Sequence, residues 1–313
     1  MNNKKLIIMM TKNIKSLLLA GFVSCGLATG LTSCKSGDQD FPDFDYQTCY
    51  FAKQYPVRTV ELGNDPYVDL TLDNQHKIQI QAAMGGAYSN PQDINISIAV
   101  DPALCEGVTF ADGTDVTLMP DSYYQLAANN IVIPSGQPVG GVEVKLTDAF
   151  FADPLSITTH YVIPLRMTKA TGVDSILTSK NFVLYAVKYV NRYHAEYILN
   201  GNNGESVFVT TKNLSTALLN YGAKDERGVA HNCELQLNFT DDGNCTISST
   251  TEGFTVSGSG RFVEADESQL VGARHPDTMY LDFTVANTAL GINTTEKYVL
   301  TVKTRGVKTE NFK

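Results

Sequence analysis

NFVLYAVKYVNRYHAEYILNG, residues 181–201, is the stretch that decides the fold. Its first ten residues are rich in Val, Tyr and Phe, so they read as a strand that closes a sheet. Asn191-Arg192 is a short polar break, and Tyr193–Gly201 restarts the pattern as a second sheet. Toward the N-terminus, Lys77–Gln81, Asn95–Val100, Asn130–Ile133, Val142–Leu146 and Tyr161–Leu165 alternate apolar with polar side chains and stop at turn residues. Toward the C-terminus, strands are expected near 206–211, 232–240, 244–250, 253–263, 278–287 and 295–304, with turns at Asp241-Asp242-Gly243 and Glu252-Gly253. No long helical periodicity competes; Leu214–Tyr221 and Pro120–Leu126 would supply a helical turn or two. Gly85-Gly86, Pro134-Ser135-Gly136 and Gly140-Gly141 read as turns, because no glycine-rich run leads from a strand into a helix with a lysine. The expected fold class is all-β: a Greek-key, Ig-like β-sandwich over 47–190 and an antiparallel, barrel-like meander over 191–313.

The first 34 residues set the expected address. Lys4, Lys5, Lys12 and Lys15 precede an apolar run over 16–30 that is too short and too rich in Gly and Ser for a stable span. Leu31-Thr32-Ser33-Cys34 then spells a bacterial lipoprotein signal: residues 1–33 are removed and Cys34 is diacylated, tying the protein to a membrane by lipid. Residues 34–46 are acidic, lack periodicity and read as a solvated tether. The expected location is the outer membrane, with the chain lipid-anchored and displayed on the cell surface.

Removing residues 1–33 takes four lysines and no acid from 24 basic and 33 acidic side chains, so the mature chain carries a net charge of −13. That charge repels phosphate backbones and excludes nucleic acid as a partner. A hydrophobic share of 43% is enough for a normal core. Cys49, Cys105, Cys233 and Cys245 remain after processing and show no metal-binding spacing. Cys233 and Cys245 flank a hairpin turn that places Cys245 opposite about Asn238, too far from Cys233 to bridge. Buried free thiols are expected, with Cys49–Cys105 left as the open pairing.

Leu118-Met119-Pro120-Asp121-Ser122-Tyr123-Tyr124, then Ile131–Gly136, then Tyr161-Val162-Ile163-Pro164-Leu165 follow one another in the sandwich. In this order they resemble the N-terminal domain of unknown function found in surface lipoproteins of gut Bacteroidetes, where it precedes glycan-active or glycan-binding modules. Met119 departs from the Leu usual beside that proline. Arg192–Tyr197 resembles the start of the small β-barrel domain that completes two-domain members. The resemblance implies a non-catalytic, glycan-binding accessory lipoprotein of a polysaccharide-utilisation system, working beside an outer-membrane glycan importer complex.

Chemistry-bearing motifs are sparse. The acidic residues lie in turn contexts rather than as a spaced catalytic pair, and no G-x-S-x-G elbow is present. His194-Ala195-Glu196 puts two ligand-type residues on one strand face without a third partner, so no metal and no cofactor are expected. Sugar sites combine an aromatic face with planar donors and acceptors. The chain has no Trp but 15 Tyr, and Tyr185, Tyr189 and Tyr298 read as packing residues. Tyr221, Arg227, Arg274, His275 and Asp277 sit in polar loops of the second domain and are the candidate ligand-binding residues, expected to line one rim of the barrel. The alternative is a structural or adhesion subunit of a pilus or surface layer.

Overall fold

The structure is a computed structural model that describes residues 46–65, 68–201, 204–264 and 277–313. The signal segment, Cys34, most of the tether, Arg274 and His275 lie outside the described residues.

Among the described residues, eleven strands form the first sheet: β1 Thr48–Tyr50, β2 Val57–Glu61, β3 Lys77–Gly85, β4 Ile94–Val100, β5 Thr117–Leu118, β6 Tyr124–Leu126, β7 Asn130–Ile133, β8 Val139–Leu146, β9 Tyr161–Thr171, β10 Ser175–Ile176 and β11 Phe182–Val190. Period-two burial drives it: Ile78, Ile80, Ala82 and Met84 of β3, Ile94, Ile96 and Ile98 of β4, and Val142, Val144 and Leu146 of β8 converge on one core. The sheet curls around that core as a half-barrel-like sandwich, in the order β10-β1-β3-β8-β7-β4-β9-β11-β2. Three pairings are parallel, β1–β10, β2–β11 and β5–β9. Val162, Leu184 and Ala186 are buried on the opposite face with Phe110, which is why β9 and β11 read as nearly continuous apolar runs.

The motif residues meet in space. Tyr123 and Tyr161 both donate to Asp153 Oδ2, at 2.8 and 2.5 Å, with their rings edge to face at 5.5 Å. Pro120–Leu126 yields one helical turn, Asp121–Tyr123, before β6. Gly140-Gly141 is not a turn but lies inside β8: a Cβ on Gly140 would sit 1.9 Å from the Val132 carbonyl oxygen, so glycine is what lets β7 and β8 approach.

The second sheet is a closed antiparallel barrel of β12 Ala195–Leu199, β13 Ser206–Thr211, β14 Thr216–Lys224, β15 Ala230–Phe239, β16 Asn244–Ser249, β17 Thr255–Val263, β18 Thr278–Asn287 and β19 Ile292–Thr304. Leu214–Tyr221, expected as helix, instead opens β14. Its helix-forming Ala and Leu residues are overridden because Ala217, Leu219, Tyr221 and Ala223 fall on the inward face, and the strand gains nine cross-strand partners in β15. Cys245 pairs with Phe239 rather than Asn238, a one-residue shift set by the turn that Gly243 makes at φ +81°. All four described cysteines are free; Cys49, Cys233 and Cys245 are buried and Cys105 is half-buried.

Within the polar break, Asn191 is buried and Arg192 is half-buried. Asn191 is fully buried: its amide donates to the Asn213 and Thr216 carbonyls at 2.8 and 3.0 Å, and its side-chain oxygen accepts from Tyr193 N at 3.1 Å. Arg305, just past β19, closes the joint. Its guanidinium donates to the carbonyls of Arg192 and Leu62 at 2.8 Å and of Asn191 at 2.9 Å. Burial pushes its pKa down, while the fields of Tyr197, Glu61 and Asp277 oppose that shift. Beyond it the tail returns to the sandwich, where Ala111 N donates to Asn311 O at 2.9 Å and Phe312 packs on Phe110. Tyr193 stacks on Phe239 at 3.7 Å and plugs the barrel at this junction end, together with Phe262 and the buried Tyr197.

Arg305→Ala is expected to cost about 3–5 kcal/mol of stability, because it strips three carbonyls of their donor and leaves buried acids without their cation. Urea denaturation checks this. Arg305→Lys should recover less than half, since an ammonium cannot span the three acceptors.

Candidate ligand site at the open end of the barrel

Strand lengths create the site. β12 and β13 have five and six residues, against nine in β14 and thirteen in β19. The β13–β14 ladder ends at Val209↔Leu219 and the β12–β19 ladder at Leu199↔Leu300. Beyond those pairs the upper parts of β14 and β19 stand above a low stretch of barrel wall. The gap is a cavity of about 530 Å³ lined by Tyr221, Asn220, Lys224, Glu205, Glu296 and Tyr298 among others. It opens at the end of the barrel away from the aromatic plug.

β19 explains its chemistry. Ile292, Thr294, Glu296, Tyr298 and Leu300 alternate on the inward side, so three polar or amphipathic residues occupy positions that a closed barrel would fill with aliphatic ones. The Tyr221 ring is buried, with Phe283 edge-on at 5.4 Å, and its hydroxyl donates to Glu296 Oε1 at 2.9 Å. Burial and that bond push the Tyr221 phenol up to about 12. Tyr298 is half-buried against Phe283, ring centroids 5.3 Å apart, and burial with the nearby charges of Glu296 and Glu205 pushes it up to about 12 as well. A partly exposed aromatic ring beside carboxylates, an amide and an ammonium suits a hydroxyl-rich ligand: the ring covers an apolar face and the polar groups bind hydroxyls.

The sequence-derived candidates do not share one rim. Tyr221 is in the cavity wall. Arg227 lies at the same end but outside the cavity, its side chain exposed and 3.2 Å from Asp225. Asp225, bonded by Val229 N, His231 and Arg227, is held down at about 2, so this loop is tied to itself. Asp277 is buried at the opposite, junction end, where its charge acts on Arg305 and its carbonyl accepts from Val302 N at 2.9 Å. Strand direction causes the separation: β14 runs toward the open end, whereas β18 begins at the junction. Glu205, Asn220 and Glu296 escaped the sequence reading, and Tyr298 was read as a packing residue; the polar inward positions of β19 were the available signal.

Concavities elsewhere among the described residues include two of smaller volume. One, of about 280 Å³ at the junction, is lined by His194, Phe208, Lys188, Lys308 and Glu310. Burial, then the charges of Arg305 and Lys188, push His194 down to about 4. Its neighbour Glu196 is paired with Lys303 at 2.7 Å. The other, about 330 Å³, lies on the sandwich beside Lys53, Arg58, Gln79, Gln81 and Tyr185.

Comparison with known proteins matches residues 44–174 to a family model described as an N-terminal domain, and residues 170–306 to a domain of unknown function, DUF5627. A crystal structure of a Bacteroides ovatus protein of unknown function is 42% identical, covers 86% of this chain and 99% of its own, and superposes with a TM-score of 0.80. A second B. ovatus protein of unknown function is 16% identical over 86% of this chain and 94% of its own, with a TM-score of 0.42. A B. ovatus "putative carbohydrate binding protein" is 14% identical over 80% of this chain and 67% of its own; its TM-score of 0.29 carries no argument. No curated protein matches the chain.

The raised phenols have a pH consequence. A folded-state pKa of about 12 against an ordinary value of 10 means that the fold favours the neutral phenol; this stabilisation is complete below pH 10 and is lost as pH rises through 12. Ultraviolet titration should show a late-ionising class, from which Tyr221→Phe removes one equivalent. Tyr221→Phe should also make the fall in stability over that window shallower.

Proposed function

The chain belongs to the family of the Bacteroides ovatus protein that it matches over nearly that protein's whole length, and from that premise we propose that it is a non-catalytic glycan-binding protein whose sugar site is the open end of the barrel. The observation that carries this reading is the cavity of about 530 Å³ in which the half-buried Tyr298 ring stands beside Glu205, Glu296, Asn220 and Lys224. Its volume falls within the range of small-molecule sites, about 300–1,000 Å³.

Binding fits the geometry better than hydrolysis. A glycosidase needs one carboxyl held protonated as general acid, usually by an apolar pocket. Glu296 is half-buried in a cavity that it shares with Glu205 and Lys224, and its Oε1 accepts from the Tyr221 hydroxyl, so it is not enclosed in such a pocket. In this role the chain is lipid-anchored through Cys34 on the outer face of the outer membrane, and presents captured oligo- or polysaccharide to a glycan importer complex. This placement rests on the lipoprotein-type signal and the sequence resemblance.

Native affinity gels over a broad polysaccharide panel test the reading. The parent chain from Lys35 should be retarded by at least one neutral glycan; Tyr298→Ala should weaken retention about tenfold or more, as expected for loss of an aromatic platform worth about 1.5 kcal/mol. Arg227→Ala should leave it unchanged. A folded parent that no glycan retards, or retention indifferent to Tyr298→Ala, would contradict the proposal.

A further inference from the structure

We infer that the open end of the barrel selects sugars by charge: it binds protonated amino sugars more tightly than neutral ones and rejects uronic acids. The inference rests on the glycan-binding reading and goes on to name the ligand class.

Glu205 and Glu296 both line the cavity, and the only cation lining it among the described residues is Lys224. Neither glutamate forms an ion pair among the described residues, and the one hydrogen bond to Glu296 comes from the neutral Tyr221 hydroxyl. Both carboxylates lie near enough to Tyr298 to raise its phenol, so their fields converge on the same ring. A cavity of about 530 Å³ is roughly 8–10 Å across, so a ligand charge within it lies inside about one screening length of both carboxylates at physiological salt, where their field is reduced but not lost. A protonated amine seated on the Tyr298 face also gains the attraction of a cation to an aromatic ring. A carboxylate at the same place meets like charge and an unfavourable ring face. Lys224 is exposed at the rim and offsets one of the two charges at most.

Calorimetry with three matched oligosaccharides in each of the gluco and galacto series tests this, the members differing only in bearing a hydroxyl, a protonated amine or a carboxylate. The amino form should bind about fivefold or more tightly than the neutral form, as for one favourable ion pair, and the uronate should show no heat. In the Glu205→Gln/Glu296→Gln double variant, with unfolding midpoint unchanged, the ratio of amino-form to neutral-form affinity should fall to about one; a preference that survives both substitutions would overturn the charge inference. Equal or tighter binding of the uronate by the parent would overturn the charge inference and leave glycan binding standing. Absence of heat from every member of both series would overturn both.

Discussion

One buried cation organises this molecule. Arg305 follows the last barrel strand, yet its guanidinium reaches the carbonyls of Leu62 in the sandwich and of Asn191 and Arg192 between the sheets. A charge that has left water must be repaid by fixed partners, and here those partners are the backbone of the Asn191-Arg192 link and of Leu62 in the sandwich. The two sheets are therefore held by a polar clasp as well as by packing. Asn191 completes it from the connection itself, and the tail that carries Phe312 to Phe110 binds the far side.

The clasp gives the barrel its polarity. Tyr193, Tyr197, Phe239 and Phe262 fill the end that faces the joint, so the barrel is closed there and opens at the other end. There the short β12 and β13 leave the upper parts of β14 and β19 exposed to the opening, and Thr294, Glu296 and Tyr298 point where aliphatic residues would otherwise seal the barrel. The cavity thus follows from unequal strand lengths and from polar residues at inward register positions.

Much of the fold was legible in the sequence because period-two burial leaves a direct trace. Ser206–Thr211 and Thr278–Asn287 match their expected strands residue for residue. β14 was not legible, because Ala217, Leu218 and Leu219 favour helix locally and only the nine-pair ladder with β15 makes them a strand. Gly140 read as a turn because its purpose, room for the Val132 carbonyl, exists only once β7 and β8 meet. Of the cavity lining, Tyr221 was singled out because the polar segment Lys224–Arg227 follows it. Asp277 looked similar in sequence, but strand direction sends it to the buried joint, and Glu296 and Tyr298 gain significance only when the barrel closes and fixes which way they point.

The most direct measurement of the central claim is amide chemical-shift mapping of the isotopically labelled mature chain with a glycan that the parent retains. The account predicts perturbations confined to Leu199, Glu205–Val207, Asn220–Lys224 and Thr294–Tyr298. Perturbations centred on the sandwich groove at Gln79, Gln81 and Tyr185, or on the junction around His194, with the barrel's open end silent, would contradict it.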